Sequence, residues 1–173
     1  LSQAGAVTLV SFLRLTGPLK LIGSAASASI NGNYSLTIDA TQQNLTLSSM
    51  GDIIALDSLE VLNAGVLQLA GGLNTQGVGG LSFSGSRFNL SADTDLNTSG
   101  SNGTIDLSGI GVNGEFVLTL NAGNGDVLIG DVGQDQALTS LVLEEATVLS
   151  LSGDITTADT LLDFSTAESI VLI

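Results

Sequence analysis

Residues 31–75 of this 173-residue chain align without a gap onto residues 113–157, at a constant offset of 82. Sixteen of the 45 aligned pairs are identical, against roughly four expected by chance at this composition, and self-similarity at a fixed period marks a stacked repeat architecture. Asn31-Gly32 returns as Asn113-Gly114, Leu36-Thr37 as Leu118-Thr119, Ala55-Leu56 as Ala137-Leu138, Ser58-Leu59 as Ser140-Leu141, and Val66-Leu67 as Val148-Leu149. Gly51, Ala64, Leu69, Gly71 and Thr75 recur as Gly133, Ala146, Leu151, Gly153 and Thr157. What is kept is Leu or Val alternating with small turn residues, a pattern that specifies a shape and not a reaction. The chain therefore reads as one continuous segment. Residues 1–30 form the tail of a preceding unit, 31–112 one complete 82-residue unit and 113–173 a truncated next unit, and the whole is expected to be an interior window of a longer protein.

Short runs of period-two alternation set the secondary structure. Ser35-Leu-Thr-Ile, Asn44-Leu-Thr-Leu, Leu81-Ser-Phe-Ser, Arg87-Phe-Asn-Leu, Thr104-Ile-Asp-Leu, Val117-Leu-Thr-Leu, Asp126-Val-Leu-Ile and Val148-Leu-Ser-Leu alternate between Gly-, Asn-, Asp- and Ser-rich punctuation, which predicts strands of four to six residues. Residues 137–149 have near-helical spacing, but their repeat partner carries Asn63-Ala-Gly65. A helix would break there, so both copies are expected to be strands.

The spacing of these strands predicts their arrangement. One register of apolar centres runs Leu13, Leu36, Leu59, Leu81, Leu96, Leu118, Leu141 and Leu162; a second runs Leu21, Leu45, Leu67, Phe88, Ile105, Val127, Leu149 and Ile170. Most steps are 21 to 24 residues, with one shorter coil in each register. This is the spacing of a parallel β-solenoid of about eight coils, each ~20–24 residues long. Hairpins of a sandwich or barrel would return strands every 8–12 residues or so. An outer-membrane barrel needs strands of ~9–11 residues and an aromatic girdle, and this chain has no Trp and one Tyr.

Composition supports the narrow interior that such coils enclose. Apolar residues make up 43% of the chain but aromatics only 3%, with one proline and 22 glycines; larger globular cores normally draw bulk from aromatic rings. The net charge is −14, and Arg14, Lys20 and Arg87 are the only basic residues. Nucleic acid and anionic lipid are excluded as partners, because both are bound by replacing counterions with Lys and Arg, and no segment is long and apolar enough for membrane insertion as a helix. The acidity reads as a solubilising surface. The alternative is calcium, for which one coil per turn would stack Asp131 over Asp154, Glu145 over Glu168, and Asp106 over Asp126.

Catalytic chemistry finds little to use. Without His or Cys, the common general base and zinc ligands are missing, and no catalytic, cofactor-binding or metal-binding residue is singled out. Gly123-Asn-Gly-Asp126 has neither the Lys of a phosphate loop nor the spaced carboxylates of an EF-hand, and reads as turn chemistry. Asn33, Asn44, Asn89, Asn97 and Asn102 each begin an Asn-X-Ser/Thr triplet, which a chain this rich in those residues produces freely. Arg14 and Arg87 read as flank residues whose stems cover apolar surface.

The run Leu118-Thr-Leu-Asn-Ala-Gly-Asn-Gly-Asp-Val-Leu-Ile-Gly, followed by Val148-Leu-Ser-Leu-Ser-Gly-Asp-Ile-Thr-Thr, resembles the shaft repeats of filamentous haemagglutinin-like adhesins and related large bacterial exoproteins. The resemblance covers most of residues 31–173 and is one of texture, not of any single motif. It implies a right-handed parallel β-helix exported to the bacterial cell surface, whose partners are the neighbouring coils of the same longer chain. The expected function is that of a non-enzymatic stalk or passenger segment presenting distal binding regions to a host receptor or glycan. The competing expectations are a polysaccharide-active β-helix enzyme, recognisable by converging carboxylates and a cation on one lateral face, and a self-assembling fibre or surface-layer subunit, associating end to end.

Overall fold

The computed structural model describes residues 30–159 and 162–173 in full; within 1–29 it describes the backbone of the strands Ser2–Ala4, Val7–Thr8, Leu13–Arg14, Leu19–Ile22 and Ala25–Ala26. The chain is an all-β parallel solenoid of about six turns, with no helix among the described residues. From Leu36 onward the paired strands of one face step by 21–25 residues, which makes six turns, and the strands Ser2–Ala4 and Leu19–Ile22 stack ahead of them. The alternating runs all fall in strands, including both disputed copies: Ser140–Leu151 is a strand, and Leu56–Leu90 is one extended run that winds past more than a full turn.

Three faces carry the coil. Face A stacks Leu19–Ile22, Leu36–Asp39 and residues 59–62, then 81–84, Ile105–Gly109, Val127–Ile129, 149–151 and the outer strand Ala167–Leu172. Face B stacks residues 45–48 on 67–70 and, further along, Phe88, Val112, Val132 and Ile155. Face C carries one unbroken aliphatic column, Ile30, Met50, Leu73, Leu96, Leu120 and Leu143, each paired with the next. All six are at most 4% exposed, so each turn covers the apolar face of its neighbour. Leu36, Leu59, Leu67, Leu118, Leu141 and Leu149 are buried as the alternation requires. In the interior the rings of Phe83 and Phe88 meet, centroids 5.3 Å apart.

The pairing corrects the two leucine registers. Leu81 abuts Ile105, Leu96 abuts Leu73, and Phe88 abuts Val112, so the supposed short coil in each register does not exist. Leu13 and Leu21 likewise pair with Ile30 and Ile38 and not with Leu36 and Leu45. The cause is the length of the repeat: at these steps 82 residues make about three and two-thirds turns, so the second copy begins one face over. Leu36–Asp39 lies on face A, whereas its repeat partner, within Val117–Asn121, lies on face C.

The corners reproduce themselves across that rotation. The buried Asn31 accepts, through Oδ1, hydrogen bonds from the amides of Ile53 (2.9 Å) and Ile54 (3.0 Å) in the next turn. Asn113 does the same for Asp135 (2.9 Å) and Gln136 (3.2 Å). Gly32 and Gly114 follow with φ of 135° and 138° and donate to the carbonyls of Ile54 and Gln136. Gly51 and Gly133, at φ of 70° and 72°, donate to Ile30 and Val112, and a Cβ at either would collide with a backbone carbonyl, that of Asn74 or Thr156. Each partner differs from its counterpart by 82. Among the positions the repeat keeps, Asn31, Gly32 and Gly51 and their counterparts are the ones that close a corner.

Candidate functional site

Outward-pointing residues of adjacent turns form rows along the rod, and these rows are the surfaces open to chemistry. Face C has the most polar one. Asp95 is paired with Thr119, and Thr119 with Val142, while Asn74, Asn97 and Asn121 follow one another in register. Asn121 Nδ2 donates to Glu144 Oε2 at 2.7 Å. The Asp95 carboxyl sits above its ordinary pKa, because partial burial disfavours its charge and Glu144 adds repulsion. Asp95 and Glu144 stand two turns apart along the rod. The row binds its own members: Asn97 Oδ1 accepts from the Ser99 amide and hydroxyl, and Asn121 Oδ1 from the Gly123 amide.

Of the three acidic stacks expected from the sequence, one forms and two separate in the fold. Asp131 and Asp154 do lie in adjacent turns, but the Asp131 carboxylate accepts the Asp154 amide at 3.1 Å. Asp106 pairs with Leu128, and Asp126 precedes Val127, the partner of Ile105; Asp106 does not lie over Asp126. Glu145 pairs with Asn121, and Glu168 falls between the partners of Ala146 and Val148; Glu145 does not lie over Glu168. Steps that vary by a residue from turn to turn decide these registers. No three His, Cys, Asp or Glu residues converge among the described residues.

Arg87 does more than cover apolar surface. It precedes Phe88, partner of Val112, yet its guanidinium pairs with Asp135, whose amide is bound to Asn113, so it reaches along the rod to a later turn. Arg14 and Lys20 lie where side chains are not described. Among the triplet asparagines, Asn44, Asn97 and Asn102 use Oδ1 to accept backbone amides of Val66, Ser99 and Asn124. Gly123-Asn-Gly-Asp126 is a turn closed by the Gly125 amide on the Ala122 carbonyl. Two buried hydroxyls, Thr75 Oγ1 and Ser101 Oγ, have no hydrogen-bond partner. An open hollow of about 440 Å³ is lined by 151–155 with Leu172 and Ile173, where the last described strand leaves the edge of face A uncovered. No helix among the described residues is long and apolar enough to cross a membrane.

Comparison with protein-family models, with curated proteins and with solved structures finds no match. The solenoid is therefore assigned from its own geometry.

Proposed function

We propose that this chain is a structural segment of the stalk or passenger of a secreted bacterial surface adhesin or exoprotein, a stiff rod that holds distal binding regions away from the cell. One observation carries the structural part: of the sixteen residue pairs identical between the two copies, none is exposed in either. The sixteenth pair, Ala40 and Ala122, is fully buried in both. At positions exposed in both copies the residues differ, as in Asn33 and Glu115, Ile53 and Asp135, or Glu60 and Val142. A duplicated binding or catalytic surface would keep its outward residues. A duplicated scaffold keeps its inward ones, and each coil then lengthens the rod by one strand spacing of ~4.8 Å.

The secreted-adhesin part rests on the likeness of residues 118–130 and 148–157 to adhesin shaft repeats, and on an acidic surface that discourages sticking. Immunolabelling of intact producing cells with an antibody against this segment is the test. External labelling, lost on protease shaving, is expected; labelling only after permeabilisation would overturn the surface placement. Incubation with acidic and neutral polysaccharides should release no new reducing ends or unsaturated products, and turnover would replace the structural reading with the enzymatic one.

A further inference from the structure

The chain contains four Asn-Gly pairs, at Asn31, Asn102, Asn113 and Asn124. In an unfolded chain this pair is the one most open to spontaneous deamidation, because glycine offers no side chain to hinder attack by its own amide. The glycine nitrogen bonds to the asparagine Cγ, the Cγ–Nδ2 bond breaks, and the amide proton leaves with the nitrogen as ammonia. Water then opens the cyclic imide at either carbonyl, giving aspartate or isoaspartate. No reactant beyond water is required.

The four sites are held very differently. At Asn31 the attack needs Gly32 to release the Ile54 carbonyl and the carboxamide to release the amides of Ile53 and Ile54, all bonds between turns. At Asn113 it needs the same three releases, from Gln136, Asp135 and Gln136 again. Both asparagines are buried. Asn124 is exposed, its side chain makes no hydrogen bond among the described residues, and the attacking Gly125 amide donates only to Ala122 within the same turn; the bonds of this turn to its neighbours, Thr147 to the Asn124 and Gly125 carbonyls and the Asn124 amide to Asn102, leave the two reacting atoms free. Asn102 stands between: exposed, but with Oδ1 accepting the Asn124 amide at 2.9 Å.

We propose that Asn124 is the modification site of the folded rod, deamidating to aspartate and isoaspartate, while the corner bonds shield Asn31 and Asn113. Freeing the reacting atoms at Asn124 breaks one hydrogen bond within a turn, whereas at either corner it breaks three between turns. The order of reaction is Asn124, then Asn102, then the two corner residues, and each event adds one negative charge to a surface already at −14.

The test is peptide mapping by mass spectrometry of the intact 1–173 chain incubated at mildly alkaline pH, native and in denaturant. Native protein should convert Asn124 at least about tenfold faster than Asn31 or Asn113, and denaturant should bring the four sites together. The substitution Asn124→Ser removes no hydrogen bond, so it should leave the melting temperature unchanged while abolishing the fastest native conversion. Equal native rates at Asn31 and Asn124, or a corner residue reacting first, would overturn the proposal.

Discussion

Asn31 and Asn113 make the same pair of hydrogen bonds on different faces of one rod. Asn31 does so at a corner of face C and Asn113 at a corner of face B, each holding two amides of the following turn. Removing either carboxamide leaves two backbone N–H groups without an acceptor. Asn31→Ala and Asn113→Ala should each lose roughly 2–4 kcal/mol in urea unfolding. The corners share no partner, so the double variant should lose close to the sum.

Glycine positions divide sharply. Gly133 and Gly51 combine positive φ with a carbonyl where Cβ would sit, whereas a Cβ at Gly111 would meet nothing within 4 Å. Gly133→Ala and Gly51→Ala should destabilise by about 2–4 kcal/mol. Gly111→Ala should be neutral or stabilising by up to about 1 kcal/mol. Thermal melts of the three variants measure the contrast.

Asp95 gives stability a pH dependence of definite sign. Its folded pKa is raised, by burial first and by Glu144 second, so the folded state holds its proton more tightly than the unfolded chain. Its ionisation therefore costs stability as pH rises from the ordinary carboxylate range through the raised value. Asp95→Asn should melt higher than the parent at neutral pH, with the gap closing below about pH 3.5. Asp163 acts oppositely: the Ser165 amide and hydroxyl hold its pKa down, so its contribution is present at neutral pH and lost on acidification. A gap for Asp95→Asn that is constant across pH would contradict the account.

The strand Ala167–Leu172 leaves Ile170, Val171 and Leu172 exposed, with Ile173 beside them, although Ile170 continues the column of Val127 and Leu149. A polypeptide of residues 1–173 should therefore associate through this edge, opposed by its charge, and more strongly as salt screens that repulsion. Sedimentation at low and high ionic strength reads the outcome; a single monomeric species at tens of micromolar in both would refute it.

Alternation in runs such as Leu36-Thr-Ile-Asp and Val117-Leu-Thr-Leu determined which side chains point inward, because the period of two is a property of the extended backbone and needs no neighbour. The Asn-Gly and lone-Gly positions determined where the chain turns, and the 82-residue offset determined that the coils stack. Which rung meets which was decided only by the tertiary structure. A coil's register is the accumulated length of its corners, so a residue gained or lost at one turn moves every later pairing: Leu81 meets Ile105 and not Leu96, and Glu168 falls between the partners of Ala146 and Val148 and not opposite Glu145. The surface contacts depend on the same accumulated register. The reach of Arg87 to Asp135 and the repulsion between Asp95 and Glu144 join residues 48 and 49 apart in sequence, distances at which no local pattern operates and only the winding of the rod brings charges together.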